Sequence, residues 1–220
     1  MNQPSSDVIV NAGCLLFFHG QPHDQDVLDS TLYVQLAASR KHSRFAEYPQ
    51  WKATWLQAAL RFGWLSQASE SFLQPAPELT TATLWDWARA WRPGFVSAAL
   101  LERSEAALAD CQALQPAFEL FASQVLAPEG TTLALQLGLV DTDDSLTLLQ
   151  LHFTSRCALG ADELLGPWCR ERIRGNVSLG FHRLILSHTL YAPLREAFAK
   201  ALRDRRPGLV MPLARRAEMP

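Results

Sequence analysis

The residue types that acid–base and nucleophilic chemistry needs occur in the C-terminal half of the chain. His152 could pair across a sheet with His182, and Cys157 follows His152 closely in sequence. A thiol becomes a nucleophile when a neighbouring base removes its proton, which a histidine side chain can do. We therefore take His152, Cys157 and His182 as a candidate site. The competing interpretation is that these side chains have ordinary packing or surface roles.

A second group of metal-ligating residue types lies near the N-terminus. His19 and His23 are four residues apart, and Asp24 follows them. Imidazole and carboxylate groups together bind zinc or iron. However, Gly20 and Pro22 oppose the helix that would place both histidines on one face. We interpret the segment as a loop in which an aspartate caps the next helix, and we expect no metal ion and no cofactor.

Motifs of the large nucleotide-dependent and ester-hydrolysing enzyme classes are absent. The chain contains no GxGxxG, GxxxxGK[ST], GxSxG or HExxH pattern. This counts against a nucleotide enzyme or an α/β-hydrolase, although an active site can also be assembled from residues distant in sequence. Arginines are frequent in residues 170–174 and 203–216, but acidic residues interleave with them and the net charge is −2. We expect a solvated face there and no nucleic-acid partner.

Tryptophan is concentrated in one part of the chain, since six of the seven tryptophans fall between residues 51 and 91. Leu84, Trp87 and Trp91 share one face of a helix, and Trp85 lies off that face. An exposed Trp85 would be a candidate anchor for a protein partner or a lipid surface. The competing interpretation is that Trp85 fills a wide groove between helices.

Residues 131–155 predict a β-hairpin. Leucine occupies every second position from Leu133 to Leu139, which places these side chains on one face of a strand. The polar segment 141–144 supplies a turn. The alternation then resumes with Leu149, Leu151 and Phe153.

The remaining pattern is mainly helical over residues 24–126, with a Ser- and Pro-containing loop at 66–79. A strand or short helix is expected at 8–18, a strand plus a helix at 176–205, and a loose tail at 206–220. Segregated helices and strands predict an α+β fold, in which a helical layer packs on a three- to four-stranded antiparallel sheet. We expect one domain spanning residues 1–220.

Several short segments share a recognisable pattern: Asp29-Ser30-Thr31-Leu32, Gln35-Leu36-Ala37-Ala38, Arg44-Phe45, Trp51, Trp55, Leu60, Gly63-Trp64 and Gly175-Asn176-Val177-Ser178. The pattern resembles that of an uncharacterised family of small bacterial and fungal proteins. It covers about a third of the chain and implies a shared α+β domain. It brings no activity, catalytic residue or cofactor with it.

Targeting signals are not evident in the sequence. No apolar run reaches the roughly 18 residues that a membrane span needs, and residues 1–7 lack the positive charge of a signal peptide. The four cysteines show no CxxC spacing and are interpreted as free thiols. We expect a cytoplasmic protein, and a secretion route that needs no signal peptide stays open.

The absence of catalytic motifs, together with the aromatic-rich helical half, favours a non-catalytic binding or interaction protein. One alternative is an enzyme or small-ligand carrier with a pocket between helices and sheet. Another is a secreted, virulence-associated or membrane-active effector. The expected partner is a protein or a small ligand, and a homodimer through an exposed strand edge also stays open.

Overall fold

The computed structural model describes residues 7–19, 24–75, 81–91, 96–111, 115–141 and 145–215, and strands and helices follow one another in short runs along the chain. The strands are β1 (Asp7–Asn11), β2 (Cys14–Phe18), β3 (Trp64–Pro75), β4 (Thr81–Ala82), β5 (Thr132–Val140), β6 (Ser145–Ser155), β7 (Trp168–Cys169), β8 (Ile173–Leu186) and β9 (Val210–Pro212). The helices are α1 (Gln25–Lys41), α2 (Tyr48–Arg61), α3 (Leu84–Trp91), α4 (Ala98–Ala109), α5 (Pro116–Val125), α6 (His188–Tyr191) and α7 (Arg195–Leu202).

Seven strands form one mixed sheet in the order β3-β8-β6-β5-β2-β1-β9, and β4 pairs separately with β7. Within the large sheet only β2 and β5 run parallel, and the other neighbours are antiparallel. The α+β class is confirmed. The prediction of three to four antiparallel strands is wrong, because the sheet also includes β3, β9 and a hairpin made of β1 and β2.

One face of the sheet is an apolar surface covered by α3, α4 and α5. The four leucines of β5 from Leu133 to Leu139 lie on this face, together with Leu149, Leu151 and Phe153 of β6. They pack against helical residues such as Phe121. The predicted hairpin is therefore confirmed over the described residues, while positions 142–144 of its turn lie outside them.

The opposite face is covered by α1, α2, α6 and α7. Leu184 and Leu186 of β8 pack on this side, whereas Val177, Leu179 and Phe181 of the same strand pack on the other. The apolar pattern of β8 changes phase near Arg183 because helices cover both faces of the strand. The pairing of β6 with β8 continues without a shift through this point.

Three segments differ from the sequence-based expectation. Residues 66–75 of the segment 66–79 that was predicted to be a loop belong to the long strand β3, because an edge strand tolerates serine and glutamine on its exposed face. Residues 8–18 contain two strands, with Ala12 at a φ of 51° in the turn between them. The tail expected to be loose contributes β9, which pairs with β1; residues 216–220 lie outside the described residues.

Two helix starts show the capping chemistry expected of their residues. The Asp24 carboxylate accepts a hydrogen bond from the backbone N–H of Asp26 at the start of α1, as a capping residue should. Pro49 lies in the first turn of α2, where its missing N–H costs no helical hydrogen bond.

Gly63 connects α2 to β3 and provides a test of this junction. Its φ is 98°, and an added Cβ would lie 3.1 Å from the backbone nitrogen of Tyr191. Gly175 has a similar φ of 73° but open space around it. We expect Gly63→Ala to lower the free energy of unfolding by about 3 kcal/mol and Gly175→Ala by about 1 kcal/mol, measured by urea denaturation. Equal losses would contradict the contact with Tyr191.

Candidate functional site

Polar side chains interrupt the apolar packing where α2 crosses the sheet. We call this cluster the polar layer, and it consists of Arg44, Lys52, Gln136, Gln150, His152 and His182. Gln136 of β5 lies opposite Gln150 of β6, which lies opposite Gly180 of β8. Aromatic residues of α2 lie on the helical side, so the polar side chains are sandwiched between rings and strands.

His182 is fully partnered within the polar layer. Its Nδ1 lies 2.9 Å from the Ser69 hydroxyl oxygen, and its Nε2 lies 3.1 Å from Oε1 of Gln150. The Gln150 carbonyl can only accept, so Nε2 donates and Nδ1 accepts from Ser69. Burial, followed by the positive charge of Lys52, lowers the pKa of His182 to about 4. His182 is therefore a neutral, positioned ring at pH 7.

His152 stacks on Tyr48 with 4.2 Å between ring centroids. Burial lowers its pKa to about 4, a hydrogen bond with the backbone of Phe45 opposes that shift, and Lys52 and Arg44 add to it. The buried Nε2 of His152 has no hydrogen-bond partner in the described structure.

The predicted site of His152, Cys157 and His182 is not assembled. His152 lies opposite Ser178, and Leu148 lies opposite His182, so the histidines are offset by four residues, or about 13 Å along the strand. Cys157 is exposed and lies beyond the end of β6. The two histidines share one face of the sheet but do not form the Cys–His arrangement that a thiol nucleophile needs.

Arg44 is a buried cation that the sequence pattern did not single out. Its guanidinium donates to the Gly13 carbonyl at 2.9 Å and to Oε1 of Gln35 at 3.3 Å. It also lies 4.6 Å from the centroid of the Trp51 ring, within the range of a cation–π contact. Burial lowers its pKa to about 10. Burial likewise raises the pKa of the neighbouring Cys14 thiol to about 12, which makes it a poor nucleophile.

Several buried polar atoms around the polar layer have no hydrogen-bond partner among the described residues. They are Asn11 Oδ1, Arg44 Nε, Tyr48 OH, Trp55 Nε1, Gln136 Nε2, Gln136 Oε1, Gln150 Nε2 and His152 Nε2. Gln136 is 1% exposed, and neither end of its amide is bonded. Buried polar groups are nearly always hydrogen-bonded in folded proteins, so a concentration of this kind requires an additional polar species or water.

His19 lies next to a hydroxyl in the core, which the sequence did not indicate. Its Nε2 is 2.8 Å from the hydroxyl oxygen of Ser104, and both residues are buried. Ser104 also donates to the carbonyl of Leu100 at 2.8 Å, so its hydroxyl proton is engaged within α4 and His19 is the donor to it. This pair is therefore not arranged as a base with its nucleophile. His23 lies outside the described residues.

Trp85 does not have the exposure that an anchor needs, because it is only 4% exposed. Its ring meets Phe17 of β2 edge to face at 5.7 Å. Trp87 contacts both Phe153 and Trp168. The helix α3 packs against the sheet on one side and against aromatic rings on another. Trp85 is therefore buried although it lies off the face that Leu84 and Trp87 share.

The clearest exposed feature is β3 at the edge of the sheet. Within the described residues β3 pairs on one side only, with β8. Leu65 and Leu73 of this strand are 49% and 69% exposed, and the exposed Leu60 lies in the last turn of α2, which leads into it. Three of the four large apolar side chains that are exposed in the described structure therefore lie on or beside β3; the fourth is Leu190.

Comparison with known proteins gives no match, either to protein-family models or to curated proteins. Membership of the uncharacterised bacterial and fungal family stays a prediction. Over the described ranges no helix is long and apolar enough to cross a membrane. In the same ranges no group of three or more histidine, cysteine or acidic side chains could hold a metal ion.

The lowered pKa of His182 predicts an acid-sensitive fold. The unfolded chain protonates near pH 6.5 and the folded chain near pH 4, so the stabilisation is complete above pH 6.5 and is lost as the pH falls towards 4. We expect about 2 kcal/mol of this histidine's contribution to be lost between pH 7 and pH 5, measured by urea denaturation. His182→Gln should reduce the loss by that amount.

Ser69→Ala is the matched control, because it removes the hydrogen bond to Nδ1 but retains the histidine. This variant should be less stable at pH 7 and keep a steep pH dependence. An equally steep pH dependence in His182→Gln would show that other groups cause the acid sensitivity.

Proposed function

We propose that this protein is a non-catalytic interaction protein, and that an extended segment of a partner chain adds to the sheet along β3. The observation that carries the proposal is that β3, a strand of 12 residues at the edge of the large sheet, pairs with only one other strand among the described residues. Backbone N–H and C=O groups on such an edge are ready to pair with another strand, which is the basis of strand addition in peptide recognition.

The opposite edge of the sheet supports this assignment by contrast. There β9 has only three residues and ends at Pro212, so it offers little backbone for pairing. In β3 the register shift lies between Ser66 and Ala68, and the pairing then continues regularly to Pro75. Glu70 is the only charged residue of β3. Charged side chains commonly prevent edge pairing, and β3 has almost none.

The chemical character of the exposed residues indicates what the partner strand offers. The exposed face of β3 presents a serine hydroxyl at Ser71 and an apolar side chain at Leu73, whereas the Ser69 hydroxyl is bonded to His182. A partner segment with an apolar residue opposite Leu73 and small polar residues before it would match this surface. A second copy of this chain is one source of such a strand, which would give the homodimer.

We expect Leu65→Lys combined with Leu73→Lys to abolish partner capture, because like charges and lysine side chains oppose edge pairing. The full chain would be cross-linked in its own host and the complexes identified by mass spectrometry. Sedimentation of the purified protein would detect self-association. Amide exchange in the complex should show protection at residues 65–75.

The control is Leu190→Lys, which changes an exposed leucine on α6 rather than on β3. It should retain the complex. A complex that survives the β3 double substitution, or protection that falls elsewhere, would contradict the proposal.

A second candidate function is the binding of a small polar molecule in the polar layer. The observation that favours it is the set of unpartnered buried atoms, above all both ends of the Gln136 amide. Native mass spectrometry of protein purified gently from its host tests this. We expect an additional small-molecule mass that is lost in Gln136→Leu; an unmodified chain mass would reject this function in favour of ordered water.

A further inference from the structure

A long groove runs between α1 and α7, away from β3. Its volume is about 980 Å³. The α1 side is formed by residues at positions i, i+3, i+4, i+7 and i+8, which form one stripe along more than two helical turns. These are Tyr33, Leu36, Ala37, Arg40 and Lys41, and Ser39 lines the groove beside this stripe. The α7 side contributes Ala201, Leu202 and Arg205.

A second concavity of about 590 Å³ adjoins the C-terminal part of α7. Its charged lining residues are Glu196, Lys200, Arg203 and Arg206. Its α7 residues Glu196 and Lys200 lie on another face of that helix than Ala201 and Leu202, so this concavity is separate from the first. We call the first concavity the α1–α7 groove; its charged lining residues are Arg40, Lys41 and Arg205. The whole chain has 20 cationic and 22 acidic residues. The positive charge is therefore a local property of this groove.

The positive charge in the groove is not neutralised within the described structure. Arg40, Lys41 and Arg205 form no ion pair in the part of the chain that the structure describes. Like charges that are held together without counter-charges attract an anionic partner.

The floor of the groove is apolar and firmly held. The Tyr33 ring stacks on Phe198 of α7 with 3.9 Å between centroids, and Leu202 is buried beside it. The walls carry small side chains at Ala37 and Ala201. Small residues on neighbouring helices leave a trough into which the ridge of a third helix can pack.

We propose that the α1–α7 groove binds an amphipathic helix of a partner protein, whose apolar stripe fills the floor and whose flanking acidic residues meet the cationic rim. Its length matches about two to three turns of helix, given the stripe on α1. The helix-in-groove mode uses apolar anchors at i, i+3, i+4 and i+7, the same spacing as the α1 stripe. This interaction shares no residue with β3, so it goes beyond the proposed function.

Charge and shape together favour this partner over other anions. A single-stranded nucleic acid would stack its bases on exposed rings, but the Tyr33 ring is already stacked on Phe198. A membrane surface would meet the rim cations but would leave the floor between the two helices unfilled.

The test uses a synthetic, fluorescently labelled peptide of about four helical turns, with leucines at i, i+3, i+4 and i+7 and glutamates on both flanks. A peptide of the same composition with the leucines distributed around the helix is the control. Vesicles of phosphatidylcholine and phosphatidylglycerol form a third arm. We expect micromolar binding of the first peptide to the full chain, and at least tenfold weaker binding of the scrambled peptide.

Arg40→Glu combined with Arg205→Glu should weaken binding of the amphipathic peptide at least tenfold. Arg156→Glu reverses an exposed cation outside the groove and should change binding by less than twofold. Ala201→Leu should weaken binding by obstructing the trough and should keep its salt dependence, because it retains every charge. The β3 double substitution should have no effect, which separates this test from that of the proposed function.

Three results would overturn the proposal. The two peptides binding equally would show a site for any polyanion, without recognition of a helix. Binding to vesicles but not to the peptide would assign the groove to membranes. Failure of the amphipathic peptide to bind at low ionic strength, in a chain whose circular dichroism is native, would remove the groove as a docking site.

Discussion

Burial of the central sheet on both faces is the constraint on which the rest of the structure depends. A strand that is covered on both sides cannot place its polar residues in water, so every polar side chain on it needs a partner inside the protein. On the side of α3, α4 and α5 the strands carry leucines, which have no polar group and need no such partner. On the side of α2 the strands carry glutamines and histidines. The residues of α2 that face the histidines are the aromatic rings of Tyr48 and Trp55.

The charges within the polar layer follow from that requirement. Arg44 is held by a backbone carbonyl, an amide oxygen and the face of an indole ring, all of which are neutral acceptors. Its charge and that of Lys52 oppose protonation of His152. The two histidines therefore serve as neutral hydrogen-bonding groups at pH 7. A layer of neutral rings beneath fixed cations suits recognition of a polar ligand better than proton transfer near neutral pH.

The parts of the fold that depend on local pattern were predictable, and those that depend on long-range pairing were not. The leucines from Leu133 to Leu139 identified a strand because their alternate spacing indicates one buried face. The residues of β3 show no such spacing, since its exposed positions include both polar and apolar side chains and pairing with β8 is what makes it a strand. Arg44 and Gln136 resemble ordinary surface residues in sequence, and their burial results from packing between distant elements.

The position of the N-terminal hairpin in the sheet has a consequence for synthesis of the chain on the ribosome. β1 and β2 are made first, yet Cys14 of β2 pairs beside Gln136, and Ile9 of β1 pairs opposite Pro212. The β2 side of the hairpin therefore waits for a strand about 120 residues further along the chain, and the β1 side for one about 200 residues further along. Such late closure slows folding and exposes apolar strands meanwhile. The nascent protein thus has a long interval in which a chaperone could hold the hairpin.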